Sequence, residues 1–341
     1  MAITYMERGM RRFFALIVLL LVSPVGKADE QALQESIQEQ SKSLMLLGDV
    51  AGIDRIANGY RQTGELTPAG FSKLSLFYNG LERVADDPHD PAWALARNKT
   101  DAWLKAHADS PAAVIIDAKL LVKYAWALRG HGFGYTVTPG QAGQFDTLVE
   151  SARQVLDANK KIGSVDPEWY ALRISVANWQ GVNRNEILKL STWAAQQAPY
   201  YDPIHYAAVY AMLPKWGGST DLVKQYVATA TALTAPKQGT QIYGRIYLYV
   251  ARRAGSEIAQ EFSAAGERWP DLSASMVEII AAHPDAWNVN SYRILACSVG
   301  TKDDYKRAMK DLKDHYGAKL IPIYAFDTPQ WQQRCVQWAA S

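Results

Sequence analysis

Runs of like charge, strand patterns and cysteine are all scarce in this chain of 341 residues. Lysine and arginine number 36 against 34 acidic residues, and no cluster of them suits the phosphates of a nucleic acid. No alternating run of five or more β-branched residues occurs, and no Asn-Gly or Asp-Gly dipeptide joins two such runs. The sequence therefore argues against a nucleic-acid-binding protein and against a β-sheet fold.

Common catalytic and metal-binding motifs are also missing. The sequence has no Gly-x-Ser-x-Gly, no Ser-x-x-Lys and no His-Glu-x-x-His, and its six histidines are scattered. We therefore predict no serine nucleophile, no metal site and no cofactor.

Paired carboxylates for glycoside hydrolysis stay open, because such pairs are recognised by their separation in space. Acidic residues in the first turn of a helix also interact favourably with the helix dipole, and that structural interpretation is favoured. The candidates, each near a predicted helix start or an aromatic residue, are Glu168, Glu186, Asp202 and Glu278.

The first 28 residues have the pattern of a secretory signal peptide. Three arginines precede the ten-residue apolar run Phe13 to Val22, and a small-x-small cleavage site ends at Ala28. Ten apolar residues fall short of the roughly 20 that cross a bilayer, so we expect no permanent membrane anchor. General export is favoured, with the Arg11-Arg12 pair leaving a twin-arginine route open. Cleavage would leave residues 29–341 as a single domain with a net charge of about −1.

Cys297 and Cys335 are the only cysteines, and both follow this signal. Because disulfides persist outside the cytosol, we predict one bridge between them. It would close a loop of about 38 residues and stabilise the fold by about 4 kcal/mol in the chain-entropy model. Two buried free thiols are the alternative.

Helical periodicity recurs along the mature chain. Thr138 and Gln141 form a predicted capping box, with Pro139 at the first helical position, and apolar residues follow at steps of three and four. Other predicted helices meet at Asp109-Ser110-Pro111, or break at glycines such as Gly48, Gly64 and Gly80. Pro167 and Pro203 open two hairpins 36 residues apart, near the roughly 34-residue tetratricopeptide period. The predicted fold is all-α, an irregular array of helical hairpins.

Several segments resemble one bacterial family. They include GFSKLSLFYNGL, DAWLKAHADSPAA, DPEWYALR and APYYDPIHYAAVYAMLPKWGGS, and together they span most of the mature chain. The family is a domain of unknown function found in secreted or envelope proteins, and its signatures are RGxG and PKWGGS or PRWGGS. The resemblance implies a tetratricopeptide-like helical fold and carries over no catalytic residue. Its signature positions here are Trp126, Arg129, Gly130, Gly132, Pro214, Trp216, Gly217, Gly218 and Ser219.

The PKWGGS segment also has an interpretation from its residues alone. Pro214 ends one helix, and Gly217 and Gly218 allow the positive φ of a tight reversal. Ser219 caps the next helix, and Trp216 fills the apex of the hairpin. Lys215 precedes the glycines, whereas the lysine of a phosphate-binding loop follows them.

Aromatic residues are plentiful, with eleven tryptophans and eighteen tyrosines. Such residues serve as packing between helices or as anchors of a recognition surface. Packing is the favoured interpretation, and the candidate recognition residues are Tyr200, Tyr201, Tyr206 and Tyr210. The sequence thus predicts an exported, periplasmic or secreted helical-repeat protein that binds a protein or peptide in the cell envelope. An envelope hydrolase acting on cell-wall sugar or peptide is the alternative.

Overall fold

The computed structural model of the chain describes residues 30–130, 132, 134–254 and 268–341. The predicted signal peptide lies outside these ranges. Within them the chain is all-α, as predicted, and forms sixteen helices with no strand longer than an isolated bridge. The first eight are α1 (Glu30–Leu47), α2 (Val50–Thr63), α3 (Lys73–Leu81), α4 (Ala92–Ala106), α5 (Pro111–Arg129), α6 (Pro139–Ala158), α7 (Lys160–Gly163) and α8 (Pro167–Trp179). The others are α9 (Arg184–Gln197), α10 (Asp202–Met212), α11 (Thr220–Gln238), α12 (Gln241–Ala254), α13 (Trp269–Ala282), α14 (Ala286–Val299), α15 (Lys302–Tyr316) and α16 (Pro329–Ala340).

Side-chain caps define where many of these helices begin. Ser110 accepts a hydrogen bond from the Ala113 N–H ahead of Pro111. Thr138 and Gln141 make the predicted capping box at the start of α6. Each cap satisfies a backbone N–H that has no partner inside the helix, so the predicted starts follow from local chemistry.

Gly80 is the last residue but one of α3, so the predicted break falls within one residue of the end of the helix. It lies inside α3, where a Cβ would come within 1.9 Å of the Ser41 hydroxyl and 2.3 Å of the Gln38 carbonyl oxygen. Gly80 is therefore the point at which α1 and α3 approach each other closely. Gly48 and Gly64 do end helices, each with a positive φ.

Helices in the middle of the chain pack on their second neighbours as well as their first. Helix α10 contacts α8, α9, α11 and α12, and α9 contacts α11. Alternate helices therefore form two adjoining layers, and apolar side chains such as those of Trp169, Ile204 and Ile246 are buried in one core. No helix of the described ranges is both long enough and apolar enough to span a membrane.

The loop between α2 and α3 joins the early helices to the late ones. The backbone of Ala69 is its contact point: its N–H donates to Glu30, and its carbonyl oxygen accepts from Arg245 of α12 and Asn288 of α14. Phe71 packs edge-on against Trp287, with the ring centroids 6.0 Å apart. Residues far apart in sequence therefore hold the early and late helices together.

A buried polar network surrounds the start of α8. Asp166 caps the helix and accepts hydrogen bonds from Arg61 at 2.9 Å and from the Tyr78 hydroxyl at 2.8 Å. Two residues later, Glu168 accepts from Lys119 at 2.7 Å and from the Tyr201 hydroxyl at 2.6 Å. These bonds connect α8 to α2, α3, α5 and the residue before α10.

Lys119 is the buried cation of this network. Burial acts to lower its pKa, but the negative charges of Glu168 and Glu82 together raise the pKa above its ordinary value. Lys119 is therefore charged at neutral pH, and its charge depends on those carboxylates.

The C-terminal helix is held by the predicted disulfide. Cys297 of α14 and Cys335 of α16 are bonded, with their Cα atoms 5.8 Å apart. Close by in sequence, Arg293 and Asp327 form an ion pair at 2.7 Å with both side chains fully buried. The bridge and the ion pair fix residues after α15 onto α14.

We expect Lys119→Met to lower the free energy of unfolding by about 3 kcal/mol, because it leaves Glu168 buried without its cation. The double variant Lys119→Met/Glu168→Gln should recover part of that loss, since the uncompensated charge is gone. Urea unfolding followed by circular dichroism measures both. A loss for the single variant below about 0.5 kcal/mol, typical of a surface substitution, would contradict this role.

Peptide mapping of the native protein without reductant should give one linked pair containing Cys297 and Cys335. The physical reason is the short Cα separation, which lies within the range of ordinary disulfides. Alkylation of both thiols in unreduced native protein would contradict the bridge.

Candidate functional site

The PKWGGS segment is a compact turn between α10 and α11. Residues Pro214–Trp216 form a single 3₁₀ turn, and Ser219 caps α11 by accepting from the Leu222 N–H. Gly217 has the predicted positive φ of 80°, but Gly218 does not. Gly218 is needed for space instead, because a Cβ there would come within 1.9 Å of the Met212 carbonyl oxygen.

Trp216 lies half-buried at the apex of this turn. Its ring meets Tyr210 edge-on, with the centroids 5.5 Å apart. The indole N–H is buried and has no hydrogen-bond partner in the described part of the chain. The tryptophan therefore stabilises the turn through ring packing.

Helices α10 and α12 meet through three matched contacts at four-residue steps. Asp202 and Arg245 approach to 3.5 Å. One turn on, Tyr206 and Tyr249 stack with centroids 4.9 Å apart and planes inclined by 6°. A further turn on, the Arg253 guanidinium lies 5.0 Å from the Tyr210 centroid. Residues four apart share a helix face, so the two helices run side by side in one register.

Charge is balanced at one end of this register and unbalanced at the other. Arg245 is buried beside Asp202, whereas Arg253 is exposed and makes its hydrogen bond to the Tyr249 hydroxyl. Lys215, also exposed, places its Nζ 4.7 Å from the Tyr210 centroid. Neither Lys215 nor Arg253 has a carboxylate within ion-pair distance among the described residues.

We call this patch the cation–aromatic surface. Burial, with a contribution from the positive charge of Arg253, lowers the pKa of Lys215 below its ordinary value. The pKa of Tyr249 is raised by burial, although Arg253 acts in the opposite direction. The two cations are thus close enough to repel each other. The surface consists of Tyr206, Tyr210, Lys215, Trp216, Tyr249 and Arg253.

The four tyrosines singled out in the sequence occupy three different places. Tyr206 and Tyr210 belong to the cation–aromatic surface. Tyr201 is buried, and its hydroxyl donates to Glu168. Tyr200 is 39% exposed and lies under the Lys237 ammonium, 4.8 Å from its ring centroid.

The RGxG segment ends α5 at a distance from this surface. Arg129 lies 5.0 Å from the Trp126 centroid and donates to the carbonyl oxygens of Gly130 and Gly132. Gly130 has a φ of 77° and its N–H donates to the Trp126 carbonyl oxygen. His131 and Phe133 lie outside the described residues. Arg129 thus satisfies carbonyl groups at a helix end, which is a structural role.

The four candidate carboxylates do not share an open cleft. Glu168 is buried in the network at the start of α8, and Asp202 pairs with Arg245. Glu186 is an exposed partner of Lys189, and Glu278 accepts from the N–H and hydroxyl of Thr240. Each is therefore hydrogen-bonded or ion-paired to donors of the chain itself. The described residues also contain no group of three or more histidine, cysteine or acidic side chains arranged to hold a metal ion.

A groove of about 320 Å³ lies between α13, α14 and α15. Val277, Ile280 and Val289 contribute to its largely apolar lining. Its two cations pair with acidic neighbours, Arg307 with Asp304 and Lys310 with Asp314, and the His315 imidazole lies 3.5 Å from Asp311. The groove therefore offers a ligand shape and apolar contact, and its lysine and arginine are already paired.

No protein-family model, curated protein or solved structure matches this chain. The family resemblance therefore stays a prediction.

Sequence reasoning missed the half of the surface that α12 supplies. Tyr249 and Arg253 stand 39 and 43 residues after Tyr210, outside the quoted motif. A signal was available, because Arg245, Tyr249 and Arg253 repeat the four-residue spacing of Asp202, Tyr206 and Tyr210. Matching the two helices, however, requires knowing that they are neighbours.

We expect Trp216→Ala to lower the free energy of unfolding by about 2 kcal/mol, because a half-buried ring and its contact with Tyr210 are lost. Trp216→Phe should lose less than half as much, since it keeps a ring and removes a buried N–H that has no partner. Urea unfolding of both variants measures the difference. Equal losses for the two would show that the indole N–H matters more than ring packing.

Proposed function

We propose that this protein is an exported helical-repeat module that binds a protein or peptide partner in the bacterial envelope. The repeat arrangement is supported by the contacts of α8 with α10, α9 with α11, and α10 with α12. In a stack of helical hairpins each helix contacts the next helix and the one after it, because a single hairpin cannot bury its own apolar faces. The N-terminal signal pattern supports export to the periplasm or the medium.

The observation that carries the binding role is the set of half-exposed rings of the cation–aromatic surface. Tyr206, Tyr210, Trp216 and Tyr249 are each partly open to solvent and partly held by packing on their neighbours. Tyrosine, tryptophan and arginine are the residues that protein interfaces enrich, since rigid rings bury a large area at low entropic cost. The surface thus has the composition of an interface core before any partner is present.

An envelope hydrolase is supported less well. Its carboxylates would need to face a cleft with oxygen atoms free for a water or a glycosidic bond. The oxygens of Glu168 and Asp202 instead bind chain donors such as Lys119 and Arg245.

Photo-crosslinking in the bacterium that makes the protein tests the binding role. A benzoyl-phenylalanine placed at Tyr210 or at Tyr249 should form an adduct with the same envelope protein, identified by mass spectrometry. Tyr135 provides the matched control, because it is a tyrosine 86% exposed and outside this surface. Adducts of equal yield and identity at Tyr135, or none at either surface position, would contradict the proposal.

A further inference from the structure

The cation–aromatic surface has one property that partner binding alone does not explain. Its two cations lie over the same ring, Lys215 at 4.7 Å and Arg253 at 5.0 Å from the Tyr210 centroid. They are therefore no more than about 10 Å apart, which is about one Debye length at an ionic strength of 0.1 M. Like charges this close repel unless an anion lies between them.

The first and third contacts between α10 and α12 differ in charge. At the first contact of the register, Arg245 has the carboxylate of Asp202. At the third contact, the corresponding position on α10 is Tyr210, which supplies a ring face and no charge. A cation–π contact offsets only a part of what an ion pair provides at such a partly exposed site. Among the described residues, neither Arg253 nor Lys215 therefore has a carboxylate partner, and both side chains are exposed.

We propose that this surface binds an acidic segment of the partner protein, with a glutamate or aspartate carboxylate placed between Lys215 and Arg253. This inference rests on the proposed function and names the chemistry of the partner. The guanidinium of Arg253 presents a planar fork that matches a carboxylate, and the neighbouring rings of Tyr210 and Trp216 provide apolar area for the flanking side chains. The carboxylate orients the bound segment, and the rings bury apolar area against its flanking side chains.

The position of the surface on its helices favours a single negative charge over a phosphate. Arg253 lies in the last turn of α12, and Lys215 follows the end of α10 by three residues. Helix C-termini carry a partial negative charge, which opposes a doubly charged anion, whereas phosphate sites are typically built at N-termini.

The number of cations also argues against a polyanion or a membrane surface. Recognition of anionic lipids uses clusters of about four to eight basic residues, and nucleic acids require a similar run. Among the described residues, only Lys215 and Arg253 lie over this ring, and the mature chain is close to neutral overall.

Binding of a defined probe to the purified mature protein tests the inference. The probe is a fluorescent ten-residue peptide of alternating glutamate and alanine, and its counterpart has glutamine in place of glutamate. We expect the glutamate peptide to bind about ten-fold more tightly than the glutamine peptide, with an affinity that falls as salt rises. Equal binding of the two peptides would overturn the inference.

Double variants test whether the glutamate peptide binds at Lys215 and Arg253. Lys215→Ala/Arg253→Ala should weaken binding of the glutamate peptide about ten-fold. The control Lys189→Ala/Arg268→Ala removes the same two charges from exposed sites that are already paired with Glu186 and Asp271, and it should bind like the wild type. If the alanine pair melts at a lower temperature, Lys215→Met/Arg253→Met keeps the side-chain stems on the rings and removes only the charge. Equal weakening by the control pair would show a general charge effect and overturn the assignment.

Competition separates the partner classes, and crosslinking separates this inference from the proposed function. Inorganic phosphate, dextran sulfate or vesicles containing phosphatidylglycerol should not displace the labelled glutamate peptide from the wild type. If any of them displaces it at a lower concentration than unlabelled glutamate peptide does, the choice of an acidic peptide is overturned. If a partner still crosslinks at Tyr249 with unchanged yield in Lys215→Ala/Arg253→Ala protein, the inference of an acidic segment is contradicted and the proposed function still stands. If the wild type forms no adduct at all, the proposed function itself is contradicted.

Discussion

The register between α10 and α12 is the constraint on which the exposed surface of this protein depends. An ion pair, a stacked pair of tyrosines and a cation–π contact follow one another at four-residue steps along both helices. Because a helix rises about 5.4 Å per turn, sliding one helix by a turn would break all three contacts together. The ion pair at the buried end therefore also fixes where Tyr210 and Arg253 meet at the open end.

That register is itself fixed by contacts from distant parts of the chain. Arg245 reaches from α12 to the carbonyl oxygen of Ala69, which also accepts from Asn288. At the other helix, Tyr201 precedes α10 and donates to Glu168, which Lys119 neutralises. Removing a partner from a buried ionic network leaves an uncompensated charge, so these contacts specify one arrangement of the helices. The cation–aromatic surface therefore lies on two helices whose positions are fixed by buried polar contacts.

Several features followed from short-range chemistry and were predictable. Thr138 with Gln141, and Ser110 before Pro111, define helix starts because a side-chain oxygen satisfies a free backbone N–H nearby. Gly80 is different: α3 ends one residue after it, but the glycine itself has no positive φ. A glycine ends a helix when the backbone needs a positive φ, but it also permits close approach of another helix, and only the presence of Ser41 and Gln38 distinguishes the two cases.

The sequence by itself determined that the chain is helical, where several of its helices begin, and that Cys297 has Cys335 as its one possible partner within the chain. These properties depend on neighbouring residues or on a count, so they need no knowledge of packing. Tertiary structure decided that Tyr201 is a core residue while Tyr206 and Tyr210 reach the surface, and that α12 supplies Tyr249 and Arg253 beside them. It also decided which charges are paired, because an ion pair such as Asp202 with Arg245 joins residues 43 positions apart and exists only once the helices between them have folded back.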